Sequence, residues 1–239
     1  MKQASGAEET RIRIGKQSIR LRLVRHPRAK RLSIRIDAAA GEPVLILPPK
    51  TSMRAGLRFV ETHADWIADK LRALPKSEPF VPGAVIPYHG TPTLLVHSGK
   101  LRDATHHNGQ TITTGGDKAQ FARRIEDFLR AEARAHTLDR ADHYGRLIGK
   151  MPSRITMKDT KSRWGSCTPD RALSFSWRLV LAPQQVFDYV IAHECAHMRE
   201  LNHGPRFWAL VKKIDPNYAV HRAWLDQQGA TLHAYGRPS

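Results

Sequence analysis

The chain has 239 residues, of which 41% are hydrophobic, and its formal net charge is +17. This length allows a sizeable core, and two cysteines, Cys167 and Cys195, are too few for a disulfide-rich scaffold. The sequence shows neither a run of about 18 apolar residues nor a hydrophobic N-terminal segment, which predicts a cytoplasmic protein without a membrane span or secretory signal.

Alternating sequences dominate the first fifty residues. Ile or Leu occupies every second position in RIRI (11–14), SIRLRLV (18–24) and LSIRI (32–36), and PVLILP (43–48) is a short apolar run. This period of two predicts strands with one buried face, which we combine into an antiparallel N-terminal sheet. Helical spacing then begins at Thr51 and ends before Pro75, TPTLLVH (91–97) predicts a further strand, and Asn108-Gly109 predicts a hairpin turn.

The second half combines a long helix with a small sheet. Helical periodicity covers 120–147, and three strands are predicted at 154–158, 162–167 and 172–182. Pro183 then opens a helix, and two shorter helices follow at 205–214 and 216–228. Because strands and helices are grouped rather than alternating, the pattern predicts an α+β fold. We predict a β-rich N-terminal part with one helix at 1–105 and a second domain at 106–239.

The helix after Pro183 carries the stretch VIAHECAHMRELNHGPRFW (190–208). His193 and His197 are four residues apart, so on a helix both rings lie on one face and can share one Zn²⁺. Glu194 is rotated by about 100° from His193, which places it beside the metal as a general base. Apolar neighbours predict that this helix is buried, and burying two histidines with a glutamate is costly unless they share a partner such as a metal.

The third metal ligand is His203 or Glu200. Glu200 lies seven residues after His193, and three ligands in line on one helix surround a tetrahedral ion poorly. His203 avoids this problem if Asn202, in a left-handed conformation, ends the helix and Gly204 helps to turn the chain back. The residue count of HExxHxxxxxH matches that of metzincins, so we favour His203 and expect Glu200 to orient a ligand.

Several further motifs occur in a fixed order along the chain. They are RAKRLSIRI (28–36), ILPP (46–49), ADWIADK (64–70), SRWGSC (162–167), WRLVLAP (177–183), HECAH (193–197) and NHGPRFW (202–208). In these motifs, over about residues 15–230, the chain resembles the YgjP-like metallopeptidases, relatives of the SprT-like zinc proteases.

The resemblance implies a zincin-like catalytic half in which the active-site helix lies against a small antiparallel sheet. Zinc would be held by His193, His197 and His203, with catalysis by Glu194. The motif before the site matches at positions 163–166, which makes three residues candidates for substrate or transition-state contacts: Arg163, Trp164 and Ser166. Arg163 and Arg178 are the candidate oxyanion stabilisers.

These features together predict a cytoplasmic zinc metallopeptidase that hydrolyses peptide bonds of a peptide or protein substrate with a metal-activated water and Glu194 as general base. One alternative is a metal-dependent hydrolase of nucleotide phosphoanhydrides. Another is a protease that associates non-specifically with nucleic acid through its basic early strands. The basic residues of those strands are Arg11, Arg13, Arg20, Arg22, Arg25, Arg28, Lys30, Arg31 and Arg35.

Overall fold

The computed structural model of the chain describes residues 8–14, 17–37, 40–73, 77–160 and 163–236. The chain divides into two compact units, Met1–Lys76 and Ser77–Ser239. This division lies earlier than the boundary that we placed between residues 105 and 106. The physical reason is packing: Ile86, Leu95 and Ile112 belong to the same hydrophobic core as Ile125 on the long helix.

The first unit is a four-stranded sheet with two helices. Its elements are β1 (Glu8–Ile14), β2 (Gln17–Arg25), β3 (Ser33–Asp37), β4 (Glu42–Leu47), α1 (Met53–Thr62) and α2 (Ala64–Arg72). The strand order is β1-β2-β4-β3, and β2 pairs with β4 in parallel, so the sheet is mixed rather than antiparallel as predicted. The single predicted helix is divided at His63, and both helices contribute to the core, through Val60 and Ile67.

The basic residues of the first unit only partly form an open surface. Arg11 lies opposite Arg20 in the antiparallel β1–β2 pair, so both side chains are on the solvent face of the sheet. Three of the nine basic residues make local contacts: Arg20 pairs with Glu9, Arg22 with Asp37 and Glu42, and Arg25 donates hydrogen bonds to the carbonyl oxygens of Pro48, Pro49 and Thr51. The other six are exposed.

Among its described residues, the second unit contains two small sheets and four helices. Its first sheet has the order β5-β6-β8-β7, with β5 (Val85–Tyr88), β6 (Thr91–His97), β7 (His106–His107) and β8 (Thr111–Thr114). Its second sheet has the order β10-β11-β9, with β9 (Arg154–Lys158), β10 (Gly165–Cys167) and β11 (Ala172–Ser176). The helices are α3 (Phe121–Ile148), α4 (Gln184–His197), α5 (Pro205–Ile214) and α6 (Tyr218–Gln228). Short 3₁₀ segments cover Lys118–Gln120, Trp177–Leu181 and Gly229–Ala234.

The predicted α+β class is confirmed, with one change in the second sheet. The pair β10–β11 is antiparallel, but β11 pairs with β9 in parallel, so the predicted small antiparallel sheet is mixed. The predicted strand at 172–182 ends at Ser176, where the chain enters the 3₁₀ segment Trp177–Leu181. The turn at Asn108-Gly109 is confirmed: Gly109 has φ 95°, and the Asn108 side-chain oxygen accepts from the backbone N–H of Thr111.

Helix α4, which carries His193, Glu194 and His197, is deeply buried. Phe187, Ile191 and Cys195 are fully buried, and the helix packs against α3, β10, α5 and α6. The tip of the β5–β6 hairpin holds the segment just before α4: the backbone N–H of His89 donates to the carbonyl of Val180, 2.7 Å away, in the 3₁₀ segment Trp177–Leu181. Gly90 is required at this tip because its φ is 78° and a Cβ there would lie 2.8 Å from the Cα of Pro183. The start of α4 is thus fixed, and with it the direction of its polar residues.

No helix in the described ranges is long and apolar enough to cross a membrane. Location in the cytoplasm stays a prediction.

Candidate active site

Three histidine rings converge beyond the C-terminal end of α4. His193 and His197 project from the helix, and His203 lies in the segment before α5. The Nε2 atom of His203 is 3.0 Å from that of His193 and 3.1 Å from that of His197. Ligand atoms on a tetrahedral zinc ion at ~2.05 Å are separated by about 3.3 Å, so these spacings fit one shared ion. Among the histidine, cysteine, aspartate and glutamate side chains of the described residues, these three histidines form the group whose ligand atoms lie close enough together to hold one metal ion. Glu200 is not part of this group.

The return of His203 toward the helix does not use a left-handed Asn202. Helix α4 ends at His197, and the backbone N–H groups of Met198 and Arg199 donate to the carbonyls of Cys195 and Ala196 in a tight 3₁₀-type turn. Outside glycine, the described residues with positive φ are His89 and Arg171 only. The predicted role of Asn202 is therefore wrong: the helix stops before it, and Asn202 does not have a positive φ.

Backbone and aromatic contacts set the orientation of the rings. The Nδ1 of His197 lies 3.0 Å from the carbonyl oxygen of Glu200, so it donates there and leaves Nε2 as the lone-pair atom facing the cluster. Phe207 on α5 stacks under His197 with ring centroids 4.5 Å apart and meets the edges of His193 and His203 at 4.9 and 4.7 Å. Glu200 thus contributes through its backbone, and not through the side chain that drew attention in the sequence.

The environment keeps the imidazoles of His193 and His197 neutral. Burial lowers the pKa of His193 to about 3, and the neighbouring His197, His203 and Arg222 act in the same direction. Burial also lowers the pKa of His197, and the Glu200 carbonyl opposes this shift. A neutral imidazole presents the lone pair that a metal ion needs, so no proton must first be removed near neutral pH.

Glu194 packs directly on strand β10. Its side chain is buried, with 7% of its surface exposed, and lies where a side chain of residue 165 would be. A Cβ on Gly165 would be 2.5 Å from the Cγ of Glu194 and 2.6 Å from its Oε1. Burial raises the pKa of Glu194 to about 7, while Arg163 acts in the opposite direction. A carboxyl group with a pKa near neutrality can both accept and return a proton, as a general base must.

A pocket of about 190 Å³ opens next to Glu194 and His193. Its walls are largely apolar and come from three elements, and its other lining residues are Trp164, Gly165, Tyr189, Val190 and Leu225. Trp164 stacks on His233 with centroids 4.9 Å apart. Because Trp164 and His193 line the same pocket, the structure brings Trp164 to the histidine cluster.

The two candidate oxyanion stabilisers, Arg163 and Arg178, lie in different environments. Arg163 is exposed and lies close enough to Glu194 to oppose the rise in the pKa of that carboxyl. With Ser166 it lines a second cavity beside the site. Arg178 is 5% exposed, and its Nε lies 2.7 Å from Oδ1 of Asp159 while it also donates to the carbonyl of Tyr235. Arg178 therefore stabilises the fold and does not face the histidine cluster.

Sequence reasoning missed three residues at the site. Tyr189 lies four residues before His193 on the same helical face, so its position was readable from spacing alone. Leu225 and Arg222 come from α6: Leu225 lines the pocket, and Arg222 lowers the pKa of His193. Their approach is a tertiary contact between α4 and α6, for which the local pattern of α6 carries no signal.

Comparison with known proteins decides the family. The YgjP-like metallopeptidase domain matches residues 30–228, which is most of the chain. The chain belongs to the YgjP-like metallopeptidase family. It is therefore a peptidase, and its family implies a metal ion, for which the histidine cluster is the matching site. The resemblance seen in the sequence motifs is confirmed.

Two other comparisons add context to the YgjP-like match. No curated protein matches the chain. A solved structure, the metallopeptidase zymogen abylysin of Pyrococcus abyssi, is 18% identical with a TM-score of 0.35, and the match covers 38% of this chain and 95% of that chain.

Proposed function

We propose that this YgjP-like protein is a zinc-dependent peptidase in which His193, His197 and His203 hold the ion and Glu194 is the general base. The observation that carries the proposal is the convergence of three Nε2 atoms, with two spacings of 3.0 and 3.1 Å. Three imidazoles with one open position are the ligand set of a catalytic zinc site rather than a closed structural one. Zinc is favoured over magnesium or calcium because those ions prefer oxygen ligands.

The mechanism assigns two tasks to Glu194. A zinc ion held by the histidines would polarise the scissile carbonyl and lower the pKa of water beside it. Glu194 accepts the proton of the attacking water and then delivers it to the leaving amine. Its pKa of about 7, caused by burial, suits both directions of transfer. Arg163, the cation that acts on Glu194, is the proposed transition-state contact, and Trp164 and Ser166 are proposed to contact the substrate.

The edge of the second sheet provides a place for a peptide. Strand β10 is at the end of the order β10-β11-β9, so one of its sides is unpaired among the described strands. The carbonyl of Trp164 accepts from the N–H of Ser176, and the N–H of Thr168 donates to the carbonyl of Ala172. Alternation then points the backbone N–H and C=O of Gly165 and Cys167 toward the open side. An extended substrate that pairs there would pass Glu194, which packs on Gly165.

Two substitutions test the proposal. Glu194→Gln should retain one zinc ion per chain and lose peptide hydrolysis by at least about 100-fold, because the amide cannot accept the proton. His203→Ala should lose bound zinc, since two imidazoles remain. His143→Ala, an exposed histidine on α3, is the matched control and should change neither quantity.

The measurements are metal content by elemental analysis and cleavage of casein or quenched peptides. Full turnover by Glu194→Gln would remove it as the base, and full zinc content in His203→Ala would remove His203 as a ligand. Parallel incubation with nucleoside triphosphates distinguishes peptide hydrolysis from phosphoanhydride hydrolysis. Release of phosphate or pyrophosphate without any peptide cleavage would favour the latter activity.

A second proposal concerns the first unit. The solvent face of β1 and β2 carries Arg11, Arg13 and Arg20 in a row, with one acidic partner, Glu9, at Arg20. We propose that this row contacts a polyanion such as nucleic acid without sequence specificity. Arg11→Glu/Arg13→Glu should weaken binding of duplex DNA and flatten its salt dependence, as measured by fluorescence anisotropy. If wild type shows no binding at low salt, this partner is excluded.

A further inference from the structure

A second cavity lies beside the candidate active site and differs from the first in character. Its volume is about 340 Å³, and its lining residues are Lys158, Thr160, Arg163, Gly165, Ser166, Ser174 and Phe175. Among the described residues, two cations and three hydroxyls line it, and no carboxylate does. The apolar pocket at Trp164 lies next to the same glycine, Gly165. Two cavities therefore lie near Glu194: one is largely apolar, and the other is lined by basic and hydroxyl side chains.

The strand register places three polar side chains of this cavity on one face of the sheet. Ser166 pairs with Ser174, and Lys158 pairs with Ser176 two residues further along β11, so Ser166, Ser174 and Lys158 share one face. Gly165 pairs with Phe175, whose side chain is on the opposite face, and this is where Glu194 packs. These three polar side chains are thus on the other face of the sheet from the catalytic carboxyl, while Gly165 and Phe175 also border the cavity.

We propose that this cavity binds a carboxylate of the substrate, so that the enzyme prefers an acidic residue close to the bond it cleaves. The inference rests on the proposed peptidase function. A strand paired with the open edge of β10 would direct alternate side chains to the two faces of the sheet. Where one side chain points to the face of Glu194, its direct neighbour points to the face of Lys158. Ammonium, guanidinium and hydroxyl groups are all hydrogen-bond donors to a carboxylate.

The charges around the cavity favour an anionic ligand over a neutral side chain. Asp159, the acidic residue nearest in sequence to Lys158, is held by Arg178 at 2.7 Å, with Arg130 at 3.9 Å from the same carboxyl group. Its charge is therefore balanced within the protein. Arg163 and Lys158 remain as cations of the cavity, and both are exposed enough to move toward a ligand.

The test compares pairs of quenched peptides that differ in one charge. The zinc-loaded full-length enzyme is given neutral peptides with one Glu, moved through the positions around the cleaved bond, together with the Gln counterpart of each. A second series compares a free C-terminal carboxylate with its amide, which identifies the source of the carboxylate. We expect the acidic member to have a kcat/KM about 10-fold higher at one position, the ratio produced by one charge-assisted hydrogen bond in a partly solvated site.

Substitution of Lys158 links this preference to the cavity. Lys158→Gln should reduce the ratio toward one, and Lys158→Glu should invert it in favour of a Lys-containing peptide. Arg154→Gln is the matched control because Arg154 is exposed, lies on the same strand and the same face, and does not line the cavity. It should leave the ratio unchanged, and thermal melts check that each variant is folded.

The outcomes separate this inference from the proposed function. Cleavage of acidic and neutral peptides at equal rates would overturn the cavity assignment and leave the peptidase intact. A preference that persists in Lys158→Gln and Lys158→Glu would also overturn it. Inhibition by inorganic phosphate without any carboxylate preference would assign the cavity to phosphate and contradict the inference. If the zinc-loaded wild type cleaves no peptide at all, the proposed function itself fails.

Discussion

Gly165 is the position at which one methyl group should disable the site without removing any functional group. A Cβ at residue 165 would lie 2.5 Å from the Cγ of Glu194, 2.6 Å from its Oε1 and 2.8 Å from its Cδ. Non-bonded heavy atoms prefer about 3.5–4.0 Å. In Gly165→Ala, the Glu194 side chain must therefore move by about 1 Å, because the alternative is displacement of the backbone of β10 or α4.

The expected effect is large on catalysis and moderate on stability. A misplacement of about 1 Å in a catalytic group costs on the order of 100-fold in kcat, which corresponds to about 2.7 kcal/mol of activation free energy. Overpacking of the buried contact should lower the free energy of unfolding by about 1–3 kcal/mol. Metal affinity should change little, because the three atoms nearest to a Cβ at residue 165 all belong to Glu194 and none to a histidine.

The assay measures kcat on a peptide, zinc per chain and the unfolding midpoint for Gly165→Ala. Gly204→Ala is the matched control: it is near His203, its φ is −79°, and a Cβ there meets no atom within 4 Å. The double variant Gly165→Ala/Glu194→Gln should be no slower than Glu194→Gln alone. A folded, zinc-loaded Gly165→Ala enzyme with nearly normal kcat would refute the placement of Glu194 as the base.

Two further predictions concern stability. Burial and His136 lower the pKa of His89 to about 4. Protonation of His89 therefore disfavours the folded state, so the free energy of unfolding keeps its full value above pH 6.5 and decreases as the pH falls from 6.5 to 4. The loss is about 2 kcal/mol after allowance for partial exposure, and His89→Asn, which suits the positive φ of this turn, should remove that pH dependence in urea denaturation. Arg178→Ala should cost about 1–3 kcal/mol, because it leaves Asp159, which is itself 38% exposed, and the carbonyl of Tyr235 without their buried donor. Arg130→Ala, which removes a more exposed partner of Asp159, should cost about 1 kcal/mol or less in the same measurement.

The local part of the site was predictable from the sequence. His193 and His197 share a face because four residues make about one helical turn, and the apolar residues around them predicted the burial that shifts their pKa values. His203 was preferred over Glu200 by a geometric argument, and its Nε2 is the atom that meets the other two. Helix α5 has the predicted bounds because Pro205 marks its first turn.

The remaining features depend on contacts that sequence patterns do not encode. Parallel pairing of β11 with β9 is a tertiary contact, and period-two alternation is the same for parallel and antiparallel neighbours. The turn after α4 was assigned to Asn202, yet the helix ended earlier because His203 must return to the cluster and Phe207 must enter the core. Arg222 and Leu225 reach the site only because α6 packs across α4.

The contact of Phe207 with all three imidazoles has a consequence for how the enzyme acquires its ion. Those ring contacts, together with the Glu200 carbonyl on His197, are made by the polypeptide itself. Ligands fixed in this way lose little freedom on coordination, in contrast to zinc fingers, whose chains order only when the metal arrives. Chelation should therefore yield a folded, inactive protein that regains activity when the metal ion is resupplied, so loss of the ion would switch the peptidase off without unfolding it.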